Sequence, residues 1–449
     1  SLHSMFHMTN DSGLFQMDSQ LTSSGNVLVG NVFKNETKKW LPLYESKMFH
    51  QYNHRFGTYK GFKKKPDKRL NKLNLTDPKE LAIPWYWVDE AEIKNRISDF
   101  NNNYMMSYRV ITNSSTNART GMFTLLPMCA LGNSASIIQT SVSPLKSLIL
   151  LSLLNSYVVD FIIRQKIGGA NLSNYIVEQL AILPPDKFDV EISKFIIPKI
   201  FELLFTAIDI LDTPKTIWRE IDSDTRKMIN SQWLDNIANT SVHKLEEFSP
   251  KIKYLASIDD YLQDTQNFPP FFWNDDRRFQ IQCELDALFG HLYNLTRDEF
   301  AFILDSFPII RNYDLADYGD YRTKQIILEK FDALADDPML KGACIPLAER
   351  VSVINKPAKS QAEKTAPTPP PAPKSDPKPQ PAPLKPKLTE VSQPDLPAAP
   401  AVKEPQSALL SDYTLHYCPK CEKRVLGFDR ENHTRERHSG VDPGYDKID

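Results

Sequence analysis

The chain is short of several features that would decide its class at once. It has five cysteines in 449 residues, and only Cys418 and Cys421 stand close together, which excludes a disulfide framework of the kind that staples small secreted domains. Cys129, Cys283 and Cys344 fall in apolar or helical surroundings, where a free thiol behaves as a small hydrophobe. There is no long hydrophobic run. The longest, Leu148 to Ile163, is interrupted by Ser152, Asn155, Ser156 and Asp160 and is too short and too polar to cross a bilayer, so it reads as one buried helix and no membrane partner is expected. No basic stretch followed by an apolar one opens the chain, so nothing there reads as a signal peptide and the expected compartment is cytoplasmic. Charge of one sign is also missing. A formal net charge of -2 excludes a uniformly basic nucleic-acid binder, because phosphate neutralisation needs Lys and Arg to dominate the contact surface.

What is present is unevenly placed. Lys60, Lys63, Lys64, Lys65, Lys68, Arg69 and Lys72 crowd one short segment that would feel phosphate strongly, or else form a solvated loop with no partner. The 33 prolines concentrate between Lys356 and Gln406, where Pro, Ala, Lys and Ser alternate almost without aromatic or branched apolar residues. Such a stretch buries no core and reads as an extended, semi-rigid tether. The body ahead of it changes character near Pro184-Pro185. Upstream, Val27 to Phe33 and Phe123 to Met128 are β-branched and aromatic runs bounded by Gly, Asn or Pro, as strands are. Downstream, Leu285, Leu288, Phe289 and Leu292 recur at i, i+3, i+4 and i+7, as one apolar helix face. Thr296 and Glu299 then form a capping-box pair, Phe300, Ile303, Leu304 and Phe307 repeat the spacing, and Pro308 is read as the stop of that helix. Ile327, Phe331 and Leu334 mark another. These stripes are core and carry no ligand role.

Behind the tether, Cys418 and Cys421 precede His433 and His438 with the spacing C-x2-C-x11-H-x4-H. Two thiolates on a tight knuckle and two imidazoles on a short helix close a tetrahedral shell around a structural zinc ion. Asp429 would cap that helix, and Val425, Leu426 and Phe428 would supply a core too small to hold without metal. The histidine loop is one residue short of the commonest finger, and His416 is an alternative ligand to His438. Lys420, Lys423, Arg424, Arg430, Arg435 and Arg437 suit contact with DNA, while docking to protein is the equal alternative.

One segment, Leu41-Pro-Leu-Tyr44-Glu45-Ser-Lys47-Met48-Phe-His50-Gln-Tyr-Asn-His54-Arg55-Phe-Gly-Thr58-Tyr59, resembles the stretch behind the catalytic domain of large adenine-specific DNA methyltransferases, of type IIG restriction-modification and BREX- or DISARM-like phage-defence systems. Further blocks follow in the family's order. Pro84 to Val88, Tyr108-Arg109-Val-Ile and Thr116-Asn117-Ala-Arg119-Thr120 are similar to its Tyr-Trp-Val, Trp-Arg-Asp-Ile and Glu-Arg-Thr elements. Leu153 to Asp160 and Arg164 to Gly169 look like the end of its TaqI-like target-recognition domain. Ile200 to Ala207, Pro269 to Phe279, Glu284 to Ala287 and Tyr318 to Lys324 resemble blocks of its helical part. A collinear set of this kind is far more specific than any one block.

The resemblance implies an α+β chain in which residues 1–25 are the tail of a truncated methyltransferase catalytic domain. A mixed target-recognition domain follows at 26–189 and an α-helical domain at 190–350. The Pro-rich linker, 351–410, is expected to be disordered, and the C2H2-type zinc finger at 411–449 lies outside the likeness. The family's Gly-rich S-adenosylmethionine loop and Asn-Pro-Pro-aromatic motif do not occur in these residues. Pro184-Pro185 follows Leu183, and Gly168-Gly169 lacks the strand-loop-helix setting of a nucleotide site. No catalytic residue is therefore assigned, and S-adenosylmethionine is expected only in a separate or missing catalytic domain. Glu178, Asp186 and Asp189 do not form a magnesium-chelating nuclease site.

The expected partner is double-stranded DNA, along with a methyltransferase domain or other defence subunits. Candidate DNA contacts are Lys47, His54, Arg55, Tyr59 and Lys60, then Lys63, Lys64 and Lys65, then Arg109, Asn117, Arg119, Thr120 and Asn133, since phosphates are met by cations and base edges by Arg and Asn. Arg119 would equally serve as a buried ion-pair partner, and His50 and His54 read as hydrogen-bonding groups and not as a metal pair. The alternatives to a DNA-reading region are a protein-interaction component of a defence complex and a stand-alone specificity subunit. For the zinc reading, the purified full chain is expected to carry about one zinc ion per molecule by elemental analysis and to lose it in Cys421→Ser; a metal-free chain would refute it.

Overall fold

The computed structural model describes residues 1–66, 69–97 and 102–351, together with the backbone of three short strands beyond them. The chain divides into two compact units, Ser1–Ile354 and Asn355–Asp449. The described residues are a mixed α+β body with no single helix long and apolar enough to cross a membrane.

Two sheets form the first part of the body. One is antiparallel, in the order Leu2–His3, Ala135–Ile138, Tyr104–Arg109, Phe123–Pro127. The opening residues, expected as the tail of another domain, are thus a strand of this sheet, and Phe6 is buried where it bridges to Gly132. The other sheet runs Val27–Val29, Val32–Lys34, Lys39–Tyr44, Trp87–Asp89, with Ala130–Leu131 parallel to Lys39–Tyr44. The single strand expected over Val27 to Phe33 is a hairpin, because Gly30 sits at φ +65° and turns the chain so that Val29 faces Val32. Few residues other than glycine adopt that angle, and Gly-Asn is a common hairpin turn. Asn31 then holds the turn down: its carbonyl accepts from Trp87 Nε1 at 2.8 Å and its amide donates to Ala82 O at 3.3 Å.

The apolar run expected as one helix is two, Pro144–Leu154 and Tyr157–Lys166, meeting at 64°. Asn155 causes the break. Its side-chain amide donates to Phe123 O (3.0 Å) and Leu151 O (3.2 Å), and its Oδ1 accepts from Phe123 N–H (3.1 Å), so it pairs with the sheet as a neighbouring strand would. Ser156 then caps the second helix through Val159 N–H. Asn and Ser compete for backbone groups in this way, which makes them poor helix interiors and good helix starts.

The change of composition near Pro184-Pro185 is real, yet no boundary between cores lies there. One hydrophobic cluster runs from Tyr104, Tyr108 and Phe123 in the sheet, through Leu148 and Leu151, into Ile196 and Phe201 of the Val190–Leu204 helix and Phe205 just beyond it, and on to Trp233, Phe268 and Leu288. A second cluster joins Tyr157 and Val158 to Phe300, Phe307, Ile327 and Phe331 of the C-terminal helices. The capping box at Thr296 and Glu299 is present, with Thr296 Oγ1 accepting from Glu299 N–H and Glu299 accepting from Thr296 N–H. Pro308 does more than follow that helix. It opens the next one, Pro308–Tyr318, where its missing N–H has no intrahelical partner to lose. Helices pack closely at Gly290, where an added Cβ would lie 2.8 Å from the Phe300 ring.

In the second unit the described strands are Leu415–Cys418, Lys423–Leu426 and Asp446–Lys447, antiparallel and with the first in the middle. Cys418 ends the first strand opposite Lys423. Cys421, His433 and His438 lie outside the described residues, as does the linker.

Replacing Asn155 by Ala would strand the buried N–H of Phe123, whose carbonyl keeps the Tyr52 N–H, and is expected to destabilise the body by about 1–3 kcal/mol in urea unfolding; a change below about 0.5 kcal/mol would show that the strand-like pairing carries little weight.

Candidate nucleic-acid interface

The segment from Glu45 to Lys72 that carries most of the expected contacts has a buried side and an exposed one. On the buried side, Glu45 gathers three of the expected residues. Tyr59 OH donates to Glu45 Oε1 at 2.7 Å, Lys65 Nζ lies 2.7 Å from the same oxygen, and Lys47 Nζ lies 3.9 Å from Oε2 while donating to Pro66 O at 3.1 Å. Both ammonium groups also approach the Tyr59 ring, at 5.2 and 5.7 Å. Burial and the Glu45 carboxylate push the Tyr59 phenol well up, so it remains a donor.

On the exposed side stand Lys60, Lys63 and Lys64. Their loop is fixed at its base by paired hydrogen bonds between Thr58 and Asn71 and by Asn71 Nδ2 to Lys60 O at 2.9 Å, with Gly61 at φ +90° making the turn. Lys60 and Lys63 face a cleft of about 810 Å³ that Phe62, Trp85 and Leu81 also line. Acids stand in the same cleft. Glu80 lies 3.8 Å from Lys60, and Asp18 and Asp77 are on the wall. Their presence fits a local field weaker than the count of lysines suggests. Arg69 and Lys72 are exposed beside the loop, and Lys68 is outside the described residues.

Five expected contact residues face inward. Arg55 has no exposed surface, and its guanidinium donates to four carbonyls, those of Leu75, Asp77, Glu80 and Thr206, at 2.5 to 2.9 Å. His54, beside it, bonds Asp209 Oδ1 at 2.9 Å, the hydrogen-bonding role its spacing suggests. Burial would raise the Asp209 carboxyl, but His54 and Arg55 hold it below its ordinary value. Tyr59 belongs to the Glu45 cluster. Arg119 is the buried ion-pair partner, its Nε 2.7 Å from Asp160 Oδ2, and Thr120 gives its amide to the same carboxylate at 3.1 Å. These residues are corrected from readers of DNA to buttresses of the fold, because side chains buried to this degree and bonded to buried acceptors do not reach a base edge. Arg109 is half-buried, donates to Phe49 O and lies over the Phe56 ring at 5.3 Å. Asn117 folds back on Asn113 N–H at 2.9 Å. Asn133 is exposed on a turn between strands.

A second cavity, about 460 Å³, was not anticipated. It lies where segment 50–56 meets the Asp275–Leu292 helix, and Phe56, His50, Trp273, Arg278, Gln282 and Asp286 are among its lining. Burial drives the Asp286 carboxyl from 3.8 up to about 7, against the lowering pull of Arg119 and the Tyr157 amide. Burial likewise keeps His50 neutral, down to about 3. The one signal in the sequence is an acid set directly between Leu285, Ala287 and Leu288, all of them buried.

No family model matches this chain, and no curated protein and no solved structure matches it either.

A carboxyl raised in the folded state binds its proton more tightly there than in the unfolded chain, so this group lowers stability as pH rises from about 4 to about 7 and keeps it lowered above. Asp286→Asn retains an oxygen for the Tyr157 amide. Its expected effect is a gain of about 1–3 kcal/mol near pH 8 that vanishes near pH 4, read by thermal unfolding at both; equal stability of the two proteins at pH 8 would contradict the assignment.

Proposed function

We propose that this chain is the DNA-binding target-recognition region of a site-specific N6-adenine DNA methyltransferase of a restriction-modification or phage-defence system, directing methylation by a catalytic domain whose motifs are not among these residues. The observation that carries the reading is the collinear series of family-like blocks from Leu41 to Leu334, together with the lysine loop that this series contains. Support comes from the way that loop is built: Lys60, Lys63 and Lys64 project from a segment anchored at Thr58 and Asn71, and Asn133 is a further exposed donor. Phosphate contact is the part these lysines serve, since a flexible ammonium neutralises charge without selecting a base. The zinc finger adds a tethered second contact, to DNA or to protein.

One observation favours a second reading, a protein-interaction component of a defence complex. The edge strand Val27–Val29 exposes all three of its apolar side chains, Val27 at 62%, and an open edge of that kind can take a strand from a partner.

Fluorescence anisotropy with duplex DNA separates the two. The full chain is expected to bind, with a steep fall in affinity between low and moderate salt. The triple variant Lys60→Ala, Lys63→Ala, Lys64→Ala should lose at least tenfold at low salt and reduce the slope of log K against log salt by about 2–3. Absence of binding at both salts would sink the DNA reading and leave the protein-docking one.

A further inference from the structure

We infer that the cavity between segment 50–56 and the Asp275–Leu292 helix is a binding site for a nucleobase, a planar heteroaromatic ring with exocyclic or ring N–H donors. Its volume, about 460 Å³, falls in the range of small-molecule sites. Flat groups come from both segments that form it. His50 and Phe56 lie side by side with ring centroids 4.9 Å apart, and Arg278 is stacked on Trp273 at 3.6 Å. Phe56 is 43% exposed although it is a large apolar ring, and it lines the cavity. Stacking on such surfaces accepts any base, since every base has a π-face.

The polar groups narrow the ligand further. Asp286 is only 5% exposed and lines the same cavity. Its Oδ1 accepts from Tyr157 N–H at 2.7 Å, while the guanidinium that would neutralise it, Arg119, pairs with Asp160 instead. A carboxyl group left in this way suits the amino or ring N–H of a base, and the half-buried Gln282 amide can serve as donor or acceptor beside it. Both guanidiniums in the lining are anchored to the protein, Arg119 through Nε on Asp160 and Nη2 on Asn155 O, and Arg278 through Nη1 on Leu203 O and Nη2 on Tyr52 O.

The base could reach the cavity as a free nucleoside or as an unpaired residue of a nucleic acid, and the test distinguishes them. The full chain is titrated against 2-aminopurine riboside, a duplex with one unpaired 2-aminopurine, and the same duplex fully paired, with quenching of the probe as readout. Quenching of the riboside and the bulged duplex is expected, without quenching of the paired one. Binding of the bulged duplex much tighter than the riboside assigns the source to nucleic acid, and equal binding assigns it to the free nucleoside. Phe56→Ala removes an exposed ring and so spares folding; it should weaken binding by about 5- to 150-fold, the loss of one stacked base. Asp286→Asn and Gln282→Ala should each weaken it at least several-fold. The lysine-loop triple variant should leave riboside binding unchanged, so this site and the DNA reading fail or stand separately. No quenching of either unpaired probe, or quenching indifferent to both Phe56→Ala and Asp286→Asn, overturns the inference.

Discussion

The body is held in register by one buried guanidinium. Arg55 reaches the carbonyls of Leu75, Asp77 and Glu80, on the irregular segment that follows the lysine loop, and of Thr206, just beyond the Val190–Leu204 helix. No sheet or helix ladder satisfies those four oxygens, and burying them otherwise would be costly. A charged group taken fully out of water must itself be compensated; burial lowers the Arg55 pKa to about 10, with Asp209, Asp77 and Glu80 resisting. That segment is therefore tied to the helical region, which supplies both Thr206 and Asp209, while the lysine loop itself is fixed by the pairing of Thr58 with Asn71.

Asp160 plays a matching part on the Tyr157–Lys166 helix. It receives Arg119, the amides of Thr120 and Gly121 and, more distantly at 3.8 Å, Arg164. A strand-connecting turn and a helix are joined through this one carboxylate. Removing one partner of such a buried set leaves the others uncompensated, so the residues are interdependent in a way that a surface charge is not.

How much of this was legible follows from the kind of signal each residue gives. Helix faces such as Leu285, Leu288 and Leu292, and the Thr296–Glu299 cap, are local patterns, and they stand in the structure as read. The turn at Gly30-Asn31 is equally local, but the run of β-branched residues around it reads as one strand. Asn155 was noted as a polar interruption, but its partner, Phe123, is 32 residues away, and no periodicity announces such a pairing. The site residues fared by the same rule. Arg55 and Lys64 look alike in the sequence, both basic and both in one segment, and only the carbonyls that converge on Arg55 from remote positions decide that one is inside. Asp286 was hidden for the opposite reason, as an acid inside a stripe taken for core.

The pairing of Asn155 with Phe123 also bears on association. Phe123–Pro127 is the last strand of its sheet, and the alternation of a strand sends the backbone groups of Phe123, Leu125 and Pro127 outward. Asn155 occupies the first of these, Pro127 has no N–H to offer, and Leu125 is buried. That margin of the sheet is closed to any incoming chain. The margin at Val27–Val29 has no such guard in its exposed apolar side chains, so it offers a point of entry for oligomerisation by strand exchange if this protein is concentrated or partly unfolded, and a single charged residue at Val27 or Val29 would close it.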